Sequence, residues 1–264
     1  MASFGTEESW SEWRDERDAS FKDPYGWFSL VELTWLGTTP QELENFPGLW
    51  SASEDGQAIT VEVPEDQPIY RDGEEVHGTV TIDVAPGVTD RSLKDSRGRE
   101  VEAMYRFGKP GVRIRDPHAP ALASDYRVAR YKFNPKWVVR GRMLRYPEIK
   151  DLTVDAAVPE GSHTLQAWGD AEVALPKDRT ATLIVTGEGP DHSSVIFYDE
   201  TNGDTTAGWR RAPLVVDGET VVIDFNRATI FPAHMSPYGT CPKPPADNRI
   251  KARVKAGEKM VVRP

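Results

Sequence analysis

The chain has 264 residues, 42 acidic and 32 basic side chains, a formal net charge of −10, 38% hydrophobic residues and one cysteine. A chain this long can bury a substantial core without staples, and its composition excludes a disordered or collagen-like polymer. A lone cysteine excludes an internal disulfide and a thiol-built metal site, so the expected setting is a reducing one, the cytoplasm, with no metal.

Residues 7–20 place Trp10, Trp13 and Arg17 at spacings of three and four behind acidic residues, which predicts a short amphipathic helix. The acidic stretch from Met1 to Asp18 holds no apolar run, so neither a signal peptide nor a membrane anchor is expected there. Tyr25 to Leu36 is apolar without a clean period and is expected to pack on that helix, residues 1–36 forming one N-terminal section. Period-two segments then recur at 57–63, 78–84, 100–107, 111–116, 126–133, 137–144, 163–168, 180–186, 193–199, 219–226 and 248–254. Turn signals such as Glu54-Asp55-Gly56, Asp72-Gly73, Asn134-Pro135, Asn202-Gly203 and Asp217-Gly218 separate them. The prediction is a mainly β protein: a single β-barrel or sandwich-like domain over 1–264, with about eleven short strands and a short N-terminal helix. No repeat or linker divides it.

Charge is unevenly spread. Residues 1–100 carry 22 acidic and 8 basic side chains, whereas 101–150 carry 4 and 12. The block from Arg127 through Tyr131, Lys132, Lys136, Trp137, Arg140, Arg142 and Arg145 to Tyr146 interleaves cations with aromatics, as a surface for anions or nucleic acid would. The plainer reading is a pair of strands with a solvated or internally paired polar face, and the acidity of the whole chain favours it. No nucleic-acid partner and no membrane partner is expected.

Elbow, phosphate-loop, dinucleotide-binding and Cys-x-x-Cys signatures are missing, and the five histidines are scattered. Strand alternation identifies polar residues that share a face. Arg113 and Arg115 lie together opposite Val112 and Ile114, and two guanidinium groups so placed can grip a carboxylate or phosphate. Asp224 and Asn226 share the face opposite Val221, Ile223 and Phe225, just before a stretch with five prolines between Pro232 and Pro245; capping of that loop's backbone donors is the preferred role. Arg249, Lys251, Arg253 and Lys255 alternate with Ile250, Ala252 and Val254, as on the solvated side of a half-buried strand.

The segment Asp224-Phe225-Asn226-Arg227-Ala228, with Ser236-Pro237-Tyr238-Gly239-Thr240-Cys241-Pro242-Lys243-Pro244-Pro245-Ala246-Asp247-Asn248-Arg249 and Ala256-Gly257-Glu258-Lys259, resembles the bacterial and archaeal family called domain of unknown function 1684. The signature spans 224–259. Weaker resemblance runs through Trp10 to Arg17, Gly26 to Leu36, Gly111 to Asp116, and Phe197 to Arg210 with Asp199, Thr201, Gly203 and Thr205. The resemblance implies a soluble, mainly β protein and supplies no activity, cofactor or catalytic residue. Thr229-Ile230-Phe231-Pro232-Ala233 stands where relatives commonly read Tyr-Asn-Pro-Pro-Cys, so a two-thiol role is not expected here.

Two functional expectations arise. In the first, a pocket collects Arg113, Arg115, Asp116, Asp199, Arg210, Asp224, Asn226 and Asn248 around a small anionic ligand, with catalysis left open. In the second, the same residues tie the C-terminal loop to the barrel in a noncatalytic structural or protein-interaction module. A flavin-binding barrel is a third reading by fold analogy. Cofactor, ligand and oligomeric state are not legible.

Overall fold

The computed structural model describes residues 4–123, 126–159, 161–187, 189 and 192–263. Helix α1 (Glu7–Ser20) forms where the tryptophan spacing places it. Thr6 caps it, its hydroxyl accepting from the Ser9 backbone N–H at 3.3 Å, with Glu7 and Glu8 in the first turn, where the helix dipole favours negative charge. Strands dominate the rest. Against the expectation of one domain, the chain falls into two compact units: Met1–Ser20 with Tyr126–Pro264, and Phe21–Asp125.

The Phe21–Asp125 unit contains β1 (Leu30–Trp35), β2 (Gln41–Glu42), β3 (Leu49–Ala52), β4 (Ala58–Glu62), β5 (Ile69–Arg71), β6 (Glu74–Val76), β7 (Thr79–Asp83), β8 (Thr89–Asp90), β9 (Leu93–Asp95), β10 (Glu100–Arg106) and β11 (Lys109–Arg115). One sheet runs β1-β11-β10-β9-β5-β6, with β8 also on β10, and a second runs β2-β3-β4-β7. Alternation supplies one apolar face to each. Ile59 and Val61 of β4 and Val80 and Ile82 of β7 join Ile69, Leu93, Val101, Ala103, Val112 and Ile114 of the other sheet in one core around Trp50. The second half of the Tyr25 to Leu36 run is β1, laddered to β11. A two-residue turn at Phe107 (φ 55) and Gly108 (φ 75) joins β10 to β11 and sets their register, Arg106 opposite Lys109 and Glu102 opposite Arg113.

The other unit is built on β12 (Arg127–Arg130), β13 (Val138–Asp155), β14 (Ser162–Leu175), β15 (Arg179–Gly187), β16 (Ser193–Asp199), β17 (Arg210–Asp217), β18 (Thr220–Asp224), β19 (Thr229–Ile230), β20 (Arg249–Ile250) and β21 (Glu258–Val262). The order β17-β18-β13-β14-β15-β16 closes through β16–β17 pairing, giving a six-stranded antiparallel barrel. Trp137, Val139, Leu183, Val185, Val195, Phe197, Leu214, Ile223 and Phe225 belong to its core. Helix α1 joins this unit: the Trp10 indole donates to the Asn226 carbonyl at 3.0 Å, and Arg17 pairs with the buried Glu258 at 3.0 Å.

The barrel has one thin seam. Where β14 and β15 share a ladder from Ala167 to Leu175, β15 and β16 share only Thr186↔Ser194 and Gly187↔Ser193. Of the strand expected over 248–254, only Arg249–Ile250 is laddered, parallel to β16, and the chain preceding it fills the seam.

Candidate functional site

The eight residues singled out in the sequence occupy both units. Arg113, Arg115 and Asp116 belong to the Phe21–Asp125 unit; Asp199, Arg210, Asp224, Asn226 and Asn248 belong to the barrel unit. Arg113 and Arg115 do share a face and do grip a carboxylate, and that carboxylate is Glu102 of the neighbouring strand. Arg113 Nη1 meets one Glu102 oxygen at 2.9 Å and Arg115 Nε meets the other at 3.0 Å, while Arg115 Nη1 donates to the Tyr25 and Gly26 carbonyls at 2.8 Å each. All three side chains of this triad are buried. Asp116 accepts from the His118 backbone N–H at 2.8 Å, a local turn bond.

Arg210 is fully buried against Asp199. Its Nη2 donates to Asp199 Oδ1 and to the Val254 carbonyl, both at 3.0 Å, and its Nη1 to the Ala256 and Glu258 carbonyls. Burial pulls the guanidinium pKa down from its ordinary value, and the Asp199 charge works against that pull. The other Asp199 oxygen accepts from the Thr201 and Val254 backbone N–H groups. Asn248 acts as a strand of one residue. Its Oδ1 accepts from Ile184 N–H at 2.7 Å and its Nδ2 donates to the Ile184 and Ile196 carbonyls at 2.9 Å each, joining β15 to β16 across the seam.

Asp224 and Asn226 do cap backbone donors, but those of the Phe225–Arg227 turn and of Asn134 rather than those of the proline-rich loop. Asp224 Oδ1 accepts from the Asn226 backbone N–H at 2.9 Å and from its side-chain amide at 3.0 Å. The Asn226 side chain in turn accepts from Asn134 N–H at 2.9 Å and donates to Asn134 O at 3.1 Å. Burial raises the Asp224 carboxyl above the ordinary carboxylate range, a shift partly offset by the bonds from Asn226. Most of these polar groups are therefore spent on one another and on backbone; among the described residues Arg210 Nε has no hydrogen-bond partner, and Asp224 Oδ2 has only the Arg227 guanidinium at 3.6 Å.

A different set of side chains surrounds an open concavity at one end of the barrel, a hollow of about 780 Å³. Trp137, Ala174, Leu175 and Ala252 give it apolar walls, and Lys136, Lys177, Arg179, Arg253 and Lys255 rim it, with Glu200 as the one carboxylate in its lining. Arg253 is ion-paired with Asp204, and Arg179 donates to the Lys251 carbonyl at 3.3 Å. Lys136, Lys177 and Lys255 form no ion pair among the described residues. Lys177 sits at the tip of the β14–β15 turn with φ 66, followed by Asp178 at φ 55, a left-handed conformation that favours glycine or asparagine. Asn134, held by Asn226, lines the same hollow.

Sequence reasoning put Lys136 and Trp137 in the basic block and left Arg253 and Lys255 as a solvated face. The barrel brings both stretches to one end and adds Lys177, whose turn carries no strong sequence signal. Separately, His234 stacks edge-on against Trp209 at 4.3 Å, and burial lowers its pKa to about 4. Among the described residues no group of three His, Cys, Asp or Glu side chains is placed to hold a metal ion, and no helix is long and apolar enough to cross a membrane.

Residues 126–259 match the family described as protein of unknown function DUF1684. The match begins where the barrel unit resumes after the Phe21–Asp125 unit and ends within β21, so Arg113, Arg115 and Asp116 lie outside it. No curated protein matches the chain. Among solved structures the chain is similar to the solution NMR structure of an uncharacterized protein from gene locus rrnAC0354 of Haloarcula marismortui, at 20% identity and a TM-score of 0.45, covering 53% of this chain and 80% of that one. The chain belongs to the DUF1684 family.

Proposed function

We propose that this member of the family is a cytoplasmic protein that binds a small anionic molecule in the hollow at the end of the barrel. One observation carries the reading: in a chain of net charge −10, three lysines without ion pairs among the described residues face one concavity with apolar walls and a single carboxylate in its lining. A concave wall of low dielectric focuses such a field, and the volume falls within the usual range of small-molecule sites, roughly 300–1,000 Å³. Lys177 adds support, because a lysine held at positive φ costs stability that a glycine would not. The anion-recognising groups are thus lysines on the rim, while Arg113, Arg115 and Arg210 stabilise the fold.

The test is thermal unfolding in the presence of matched anionic and neutral metabolites, since a ligand that binds only the native state at about 100 times its Kd stabilises it by roughly 2.7 kcal/mol. Anions are expected to raise the melting temperature, and Lys177→Glu with Lys255→Glu to abolish the rise. A parent protein indifferent to every anion would sink the reading. The alternative, a structural or interaction module without a ligand, draws support from the Asp199–Arg210 pair and from the bonds of Asn248 to backbone, and expects that indifferent result.

A further inference from the structure

The cations of the barrel end continue past Lys255. Asn134 and Lys255 also line a second, shallower hollow of about 580 Å³, whose other walls include Tyr131, Lys132, Phe133 and Lys259. The two concavities share those two residues, so one ligand can extend from the first into the second. Their chemistry differs. The first offers the apolar walls of Trp137, Leu175 and Ala252; the second has no carboxylate in its lining.

Within the second, Arg130 is already engaged by Asp18 and Glu258. Lys132 and Lys255 form no ion pair among the described residues. Lys259 rests its ammonium 4.4 Å over the Tyr131 ring, and the Tyr131 hydroxyl is bonded to Thr205 at 2.8 Å, so this cation is held in place before any ligand arrives. Three ammonium groups from two separate stretches of chain, in a hollow whose lining holds no carboxylate, suit an anion carrying more than one charge. A monoester phosphate carries about −1.5 to −2 at neutral pH, and lysine binds it as a point charge.

Building on the binding reading above, we propose that the ligand is a phosphorylated molecule with an apolar, planar body. The body lies along Trp137, Leu175 and Ala252, and the phosphate meets Lys132, Lys255 and Lys259. An inorganic phosphate would gain nothing from the apolar walls, and a neutral planar molecule would gain nothing from the lysines, so the two halves together define the class. Nucleoside monophosphates are the simplest probes of it.

Calorimetric titration of the full chain with AMP, adenosine, inorganic phosphate, tripolyphosphate and indole-3-acetate separates the outcomes. AMP is expected to bind at least about tenfold more tightly than adenosine or inorganic phosphate, a difference of one charge-assisted contact. Lys132→Gln, at an exposed position, and Lys259→Gln, at a half-buried one, are expected to keep the far-UV spectrum of the parent, to weaken AMP about tenfold and to leave indole-3-acetate unaffected. Indole-3-acetate binding as tightly as AMP would overturn the phosphate assignment while leaving the anion-binding hollow standing. Tripolyphosphate equal to AMP would overturn the apolar-body half. A single-stranded oligonucleotide binding more tightly than AMP would reassign the surface to a polynucleotide, and no binding by any probe would remove both readings.

Discussion

Replacing Asn248 with alanine should open the barrel at its seam. The buried side chain makes three hydrogen bonds, one from Ile184 N–H at 2.7 Å and two to the Ile184 and Ile196 carbonyls at 2.9 Å, the last fully buried and the two at Ile184 part-buried. Three such bonds at about 1 kcal/mol each give roughly 3 kcal/mol. That is a large share of the 5–15 kcal/mol by which domains are typically stable. In urea, with m near 2 kcal/mol/M, the midpoint of the barrel unit should fall by about 1–2 M, and the Ile184 amide should exchange with deuterium orders of magnitude faster than its neighbours in β15. Asn248→Asp should be worse at neutral pH, because it sets a carboxylate against two carbonyls in a site with 0% exposure. Its folded-state pKa is raised above the unfolded value near 3.9, so the variant's deficit relative to the parent should be smallest below about pH 4 and grow as pH rises. If Asn248→Ala unfolds within 0.5 kcal/mol of the parent and Ile184 stays protected, the side chain does not hold the seam and the argument fails.

Four further outcomes are expected. Lys177→Gly relieves a positive φ at the β14–β15 turn, so it should leave stability unchanged or raise it by up to about 1 kcal/mol while weakening anion binding; loss of stability instead would make the lysine structural. Glu102→Ala strands two buried guanidinium groups and should cost about 3–5 kcal/mol in denaturant titrations of the Phe21–Asp125 unit, with no change in anion response. Asn226→Ala frees the Asn134 backbone that lines both hollows, so calorimetry should show weakened ligand binding beyond the loss of stability; binding that survives intact would uncouple the cap from the site. His234 is held below its ordinary pKa of 6.5, at about 4, so the stability it contributes is present above pH 6.5 and lost as pH falls toward 4; His234→Asn should flatten the stability profile across that window.

Much of this architecture was legible in residue patterns. Each period-two segment contains a strand, because one buried face imposes the alternation whichever sheet receives it. Strand β17 was not read, because the inward position that begins its alternation is Arg210, a charge where the pattern demands an apolar residue, and Pro213 interrupts the alternation three residues later. The division into two units left no trace because the barrel unit is discontinuous and no Gly- or Ser-rich linker marks residue 20 or 126. The shared face of Arg113 and Arg115 was readable, and so in principle was their partner: a two-residue turn at Phe107-Gly108 puts position 102 across from 113. The lysine-rimmed hollow was not, since it joins residues near 136, 177 and 255 that only barrel closure brings together.

The seam also fixes an order of events during synthesis. The Phe21–Asp125 unit is continuous in sequence and can form its sheets as soon as it emerges. The barrel cannot: β15 and β16 are made well before Asn248, and until that residue arrives each presents an unpaired edge where their ladder stops. Helix α1 waits longer still, because the Asn226 and Glu258 groups that anchor it are made more than two hundred residues after it. A nascent or proteolytically shortened chain lacking residues beyond about 245 therefore carries two sticky strand edges and an undocked amphipathic helix. Such a chain is a ready substrate for chaperones and a seed for edge-to-edge aggregation, whereas in the closed barrel Asn248 covers the two edges and Asn226 and Glu258 hold the helix.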